Sequence, residues 1–449
     1  MRAVSMKHEA TESSRLIKLA SQHVAKGASS TMRVLDYHLP LVVDRTDGAR
    51  VWDADGNELI DMNMGYGPLL FGHRPKFIND AIIEELGRRG TVSGFAETLS
   101  IEAGELIKAS FPAIDLLRFS STGSETAQTA VRLARAYTGR RRLVLFEGHY
   151  HGSTDATFHR YHADPQALEG QKGAPVAGTD GMDGSPRDAI VVPYNDADAL
   201  ASVLDQHGAD IAAVMLEPVM GNAGVIPPEP GYLQEVRRLV DQHGALLIFD
   251  EVITGFRIAR GGAQERYGVA ADITMLSKAV SGGVPLSAVG GRREIMQLLV
   301  DGVVFHGGVY SGNPMSLAAT VAVQRAYAAD AATIHAGIEA AGVRLETGLR
   351  EQLQQAGIPA IVQRVGGMMS LWLTRGEAKP PLAYREAAHI ADAPSFIRLQ
   401  HAAQRAGLYF HPNHFEPWYL STAHTPAIID EALDRFATAL KQVRQSEPA

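Results

Sequence analysis

An amine in apolar surroundings is the first chemical signal in this chain. Ala271-Asp-Ile-Thr-Met-Leu-Ser-Lys278 is an apolar-rich run that ends on a single lysine, and small residues with a Gly282-Gly283 pair follow at once. The pattern reads as a strand delivering one amine to a tight turn. Lysine is rare in such a setting. Desolvation there lowers its pKa and leaves a neutral, nucleophilic fraction, suited to Schiff-base formation with an aldehyde. The plainer alternative is a lysine whose stem crosses a core strand and whose head reaches water. Twenty-eight positions earlier, Ala245-Leu-Leu-Ile-Phe-Asp250-Glu251-Val252 is another buried-strand pattern, ending in an acid. That separation is one strand-helix-strand excursion in a parallel sheet, so amine and acid would stand at neighbouring strand ends. A buried acid is costly unless paired. A protonated ring nitrogen would be such a partner, in a charge-assisted bond of about 1.5–3 kcal/mol. A Mg²⁺-binding or structural carboxylate is the alternative.

Two further stretches extend the chemistry. In Phe119-Ser-Ser121-Thr122-Gly123-Ser124-Glu125-Thr126-Ala127 a strand gives way to a hydroxyl- and glycine-rich turn and then a helix. Backbone N–H groups and the dipole at a helix start favour an anion such as a phosphate. An ordinary N-cap by Thr122 or Ser124 is the alternative. The segment is neither a Walker motif nor GxGxxG. Glu147-Gly148-His149-Tyr150-His151-Gly152 follows a strand and offers an aromatic that can stack on a planar ring. Its two histidines lack a further ligand set at metal-binding spacing, so they read as packed surface residues and no metal is expected. Phosphate cradle, stacking aromatic, acid and lysine, in that order, are what pyridoxal 5′-phosphate requires.

These residues need a scaffold, and the chain supplies an alternating one. Strand patterns at Leu116–Ser120, Leu143–Glu147, Ile190–Pro193, Ile211–Glu217, Leu246–Asp250, Ile273–Ser277 and Ser287–Gly290 are mostly separated by helical stretches. This predicts an α/β fold with a mainly parallel sheet covered on both faces, which binds ligands at the carboxyl ends of its strands. Ahead of it lie a helical pattern over 10–26, a loop at 26–33, a hairpin over 51–60 turning at Asp55-Gly56, and helices near 75–88 and 98–110. Residues 155–187, rich in Gly, Asp, His and Pro, read as a mobile or partner-contacting loop. Helices near 314–328, 331–355, 394–406 and 426–444, with strands near 360–374 and 408–421, form a separate α+β C-terminal unit. The expected organisation is an N-terminal segment (1–70) packing with the small domain, a large cofactor-binding domain (71–320) and a small C-terminal domain (321–449).

Bulk properties agree with a globular enzyme. The 449 residues are 45% hydrophobic and 20% charged, with a net charge of −8. Nothing points to nucleic-acid or membrane partners. The absence of cysteine excludes disulfides and thiolate catalysis. With no apolar run of membrane-spanning length and no signal-peptide core near the start, cytoplasm is the default expectation.

From about residue 15 to 440 the chain resembles the class III, fold-type I pyridoxal-phosphate aminotransferases, and within them glutamate-1-semialdehyde 2,1-aminomutase and its relatives. The likeness is carried by Leu247-Ile-Phe-Asp-Glu-Val-Ile-Thr-Gly-Phe-Arg257, Gly261-Gly-Ala-Gln264, Val289-Gly-Gly-Arg-Arg293, Ser311-Gly-Asn-Pro314 and Leu216-Glu-Pro-Val-Met-Gly-Asn222-Ala-Gly224. The resemblance implies that Lys278 holds the cofactor and shuttles protons, and that Asp250 pairs with the ring nitrogen. Val252 and Tyr150 would cover the two ring faces, Thr122, Gly123 and Ser124 hold the phosphate, and Asn222 lie near the ring oxygen. Ser30 and Arg33 match positions that receive a substrate carboxylate, Tyr66 an aromatic position usually held by Trp, and Glu416 a substrate-side acid. The family is a homodimer with shared active sites, and His306–Asn313 matches the segment lent to the partner's phosphate. Val309 stands there in place of the usual Thr. That departure, and the 155–187 loop where relatives carry a gate, favour an aminotransferase acting between a small amino donor, such as a β- or ω-amino acid, and a keto acid or aldehyde. The aminomutase reaction is the alternative, and a catalytically silent cofactor-binding relative is a third reading.

Overall fold

The structure is a computed structural model, and it describes residues 10–92, 94–159, 162–169, 177–179, 182 and 188–446. The chain forms fourteen strands among these residues. Val43–Asp47 (β1), Arg50–Asp53 (β2) and Glu58–Asp61 (β3) come first. The large sheet takes Leu116–Ser120 (β4), Arg142–Phe146 (β5), Ala189–Val192 (β6), Ile211–Leu216 (β7), Leu246–Glu251 (β8), Ile273–Leu276 (β9) and Ser287–Gly291 (β10). Ala360–Val365 (β11), Met368–Leu373 (β12), Leu408–Tyr409 (β13) and Trp418–Tyr419 (β14) complete the set.

The seven-stranded sheet runs β4-β10-β9-β8-β7-β5-β6. Its pairs from β9 through β6 are parallel, and β10 runs antiparallel to both β4 and β9. Both faces are dry. In β5, Leu143 and Leu145 pack with Ala127, Ala130 and Ala134 of the 123–138 helix, while Val144 and Phe146 join Leu200, Leu233 and Val236 of the helices on the other face. Two-sided burial explains why these strands read as apolar runs, and the expected strands agree with the observed ones to about a residue at each end.

The C-terminal part has its own antiparallel sheet, β11-β12-β14. The Asp55-Gly56 hairpin is present as β2-β3, flanked by β1 on one side and by β13, from the C-terminal part, in parallel on the other. The two helices expected at 314–355 are present: the helical run Pro314–Ala356 is divided at Asp330, which breaks helical geometry at φ −158° and ψ 58°. Its start is capped by Asn313, whose side chain accepts from the Ser316 N–H at 3.0 Å. A further helix, Tyr384–Ile390, lies between the strands expected near 360–374 and the helix expected near 394–406. No helix among the described residues is long and apolar enough to cross a membrane.

Candidate active site

The β8/β9 register pairs Asp250 with Met275 and Glu251 with Leu276. Lys278 therefore emerges just beyond the end of the strand next to Asp250. It opens a one-turn helix, Lys278–Val280, with a left-handed backbone at φ +50°. For a non-glycine residue that conformation costs of order 1–3 kcal/mol and persists only where surrounding structure enforces it. Lys278 and Asp250 line one cavity of ≈ 200 Å³ together with Gly123, Ser124, Tyr150, Asn222 and Val252. Lys278 is half-buried. Enclosure lowers its pKa from the ordinary lysine value, while the carboxylates of Glu416, Glu217 and Asp250 pull it back up.

The anion cradle has a division of labour. Thr122 is the N-cap of the 123–138 helix and closes a capping box: its hydroxyl accepts from the Glu125 N–H at 3.3 Å, and Glu125 accepts from the Thr122 N–H at 2.9 Å. The Thr122 hydroxyl oxygen thus accepts from the helix start, and Gly123 and Ser124 line the cavity. Gly152, at φ +84°, passes so close that a Cβ would lie 2.6 Å from Ser124 Oγ, and the Ser124 hydroxyl accepts from the Ser153 N–H at 3.1 Å. Only glycine fits this approach of two backbones.

Two side chains that the sequence reading did not assign hold the site together. His149 and His151, expected on the surface, are buried at 5% and 2% exposure. His151 Nδ1 lies 2.8 Å from Asp250 Oδ2, and the other Asp250 oxygen accepts from the Val252 N–H at 3.0 Å. Glu217 stands at the end of β7, and its carboxylate accepts from the Tyr150 N–H at 2.8 Å, the Asn222 amide at 2.9 Å and the Gly221 N–H at 2.7 Å. Burial raises its pKa. The signal for Glu217 was the one used for Asp250, an acid closing an apolar strand.

Not every expected residue joins the cavity. Glu416 does not line it but is buried within electrostatic reach of Lys278. Burial raises its pKa to about 7, with the ammonium of Lys278 pulling it back down. Ser30 is exposed, and Arg33 lines a separate cavity of ≈ 260 Å³ with Asp36, His38, Gln404 and Tyr409. Tyr66 donates its hydroxyl to the Met32 carbonyl at 2.9 Å, and His411 Nε2 reaches the same oxygen at 3.0 Å. These contacts tie the 30–33 turn to Tyr66 and His411. Val309 is 76% exposed and lines no part of its own chain's cavity. The 155–187 loop lies partly outside the described residues. Where it is described, Tyr384 donates to the Ala163 carbonyl at 2.6 Å and His162 contacts the Asn222 carbonyl at 2.8 Å.

Comparison with known proteins places this geometry in a family. The class III aminotransferase family model matches residues 31–443. Glutamate-1-semialdehyde 2,1-aminomutase of Thermomicrobium roseum is 40% identical over 406 residues, covering 90% of this chain and 91% of that protein. An omega-transaminase from Sphaerobacter thermophilus superposes with a TM-score of 0.89 at 30% identity, over 96% of this chain and 98% of that one. A transaminase with pyridoxal phosphate bound gives 0.87 at 28% identity, over 98% and 99%.

Proposed function

The chain belongs to the class III aminotransferases, and from that premise we propose that it moves an amino group within one small carboxylate substrate, as an aminomutase of the glutamate-1-semialdehyde type. The family's cofactor is pyridoxal 5′-phosphate. The observation that carries the reading is a single cavity in which an amine and an acid from adjacent strand ends face a backbone anion cradle. Those groups fit the cofactor's aldehyde, ring nitrogen and phosphate. Lys278 would hold the aldehyde carbon, Asp250 the ring nitrogen, Gly123 and Ser124 the phosphate, and Val252 and Tyr150 the ring faces. When bound, the cofactor supplies an electron sink for the substrate carbon that loses a proton.

The remaining work falls to side chains of this chain. Lys278 Nζ, partly neutral through enclosure, would take the proton from the substrate carbon and return it at the neighbouring position. Glu416, buried within electrostatic reach of that amine, would favour its charged form. Asp250, fixed by His151 and the Val252 N–H, would keep its charge aimed at the ring.

The relative at 40% identity carries the aminomutase reading ahead of a two-substrate aminotransferase. The second reading is favoured by the omega-transaminase neighbour and by Val309, which offers no hydroxyl to a partner's phosphate. One assay separates them. Isomerisation of glutamate 1-semialdehyde by the cofactor-loaded protein without any keto acid is the expected result. Turnover of β- or ω-amino acids that stops when keto acid is withheld would overturn it in favour of the second reading.

A homodimer belongs to the same proposal. Phe305, Val309 and Tyr310 are 78%, 76% and 66% exposed, an apolar run that water disfavours. Phe305→Asp should weaken self-association by about 10²- to 10⁴-fold, since burying a phenylalanine contributes about 1.5–3 kcal/mol on each of two symmetric copies. Sedimentation of the variant reads this directly, and an unchanged mass at low concentration would contradict it.

A further inference from the structure

One short stretch of loop braces the cofactor cavity from outside. Thr157 donates its hydroxyl to the His151 carbonyl at 3.1 Å, Phe158 sets its ring edge-on to Tyr150 with centroids 5.9 Å apart, and His162 Nε2 lies 2.8 Å from the Asn222 carbonyl. Tyr150, His151 and Asn222 all line the cavity, whereas Thr157, Phe158 and His162 stand behind them.

The His162 contact has a fixed chemical sense. A carbonyl oxygen only accepts, so Nε2 carries the hydrogen. Burial keeps the ring neutral, with its pKa lowered to about 4. The ring lies against Phe415, with centroids 4.7 Å apart, and nearly parallel to Tyr384 at 6.4 Å, both from the C-terminal part. The Gly224 N–H donates to the Phe415 carbonyl at 2.8 Å, so His162 and Phe415 grip the 222–224 turn together.

Asn222 passes the contact on. Its amide donates to Glu217 Oε1 at 2.9 Å, the oxygen that also accepts from the Tyr150 N–H at 2.8 Å. The Gly221 N–H holds the other Glu217 oxygen at 2.7 Å. Glu217 is 3% exposed, so bulk water does not replace a donor lost there, and misalignment falls on Asn222 and Tyr150 at the cavity wall.

We propose that His162 is a positioning residue for the amino-transfer reaction: its Nε2–H holds the Asn222 carbonyl, and through the Asn222 amide and Glu217 it keeps Asn222 and Tyr150 in place around the cofactor cavity. The inference rests on the amino-transfer reading above. A ring that merely filled the space between Asn222 and Phe415 would need no N–H.

The experiment uses the full chain loaded with pyridoxal 5′-phosphate and separates the N–H from the ring. His162→Phe keeps an aromatic ring for Phe415 and Tyr384 but has no donor. His162→Gln gives up the ring and keeps an NH₂ that can reach the same carbonyl. Cofactor loss after dilution, followed as decay of visible absorbance, should be about tenfold faster in His162→Phe, with kcat about tenfold lower, and within about twofold of wild type in His162→Gln. His162→Leu serves where Phe does not fold. Added to Asn222→Ala, His162→Phe should change cofactor loss by no more than about twofold, since both act through one amide. Wild-type retention in a folded donor-free variant overturns the proposal. Equal losses in His162→Phe and His162→Gln overturn it too, and so does a full tenfold addition in the double variant. A wild-type chain that takes up no pyridoxal phosphate overturns the amino-transfer reading and this inference with it, a result distinct from normal uptake with unchanged retention in the variants.

Discussion

Lys278→Ala should lower kcat/KM by about 10⁴-fold, the upper end of what one positioned acid-base group contributes, because under the proposed function the same nitrogen would be both the cofactor's anchor and the proton carrier. The protein should still fold. The substitution removes an enclosed amine, and neither a core hydrophobe nor a cap is lost. Thermal unfolding of the variant near the wild-type midpoint, with turnover gone, would separate chemistry from stability. A second readout is optical. Borohydride should fix the cofactor covalently to the wild-type chain and leave the variant unlabelled. Near-normal turnover in Lys278→Ala would remove the basis of the functional reading.

Asp250→Asn is the next largest effect. The carboxylate is 5% exposed, and both its oxygens are already held, one by His151 Nδ1 at 2.8 Å and one by the Val252 N–H at 3.0 Å. Asparagine nearly preserves the shape but loses the charge. The lost charge-assisted bond of about 1.5–3 kcal/mol corresponds to about 10- to 10²-fold in rate. His151→Phe keeps an aromatic ring, though a larger one, and removes the N–H that orients Asp250, so a loss of about tenfold is expected through the same channel. The double variant should be no worse than Asp250→Asn alone, since both act on one interaction. Rapid-mixing measurement of absorbance loss on adding an amino substrate checks all three. Additive losses would mean that His151 works independently of Asp250.

Local pattern carried much of the architecture. The strands from β4 to β10 were legible because a sheet buried on both faces demands unbroken apolar runs, and a short apolar run between two helices suits little else than a buried strand. The hairpin at Asp55-Gly56 was legible because its turn needs a residue with positive φ, and Gly56 adopts +80°. The helix at Tyr384–Ile390 was missed because it is short and is held by contacts with distant residues. Tyr384 reaches the Ala163 carbonyl, and Arg385 forms a bidentate pair with Glu147 at 2.8 and 2.6 Å.

By itself the sequence placed Asp250 and Lys278 at neighbouring strand ends, because both close strand patterns whose spacing allows one neighbouring arrangement in a parallel sheet. Tertiary structure alone decided who supports them. His151 meets Asp250 across 99 positions, and Glu217 meets the Tyr150 N–H across 67. No periodicity records such pairs, since they depend on how loops at separate strand ends converge. The same holds for residues at family-matched positions. Arg33 lines a second cavity and Tyr66 donates to a backbone carbonyl, directions that chain order does not record. Position along a chain constrains side-chain type, whereas direction follows from the packing of segments that are remote in sequence.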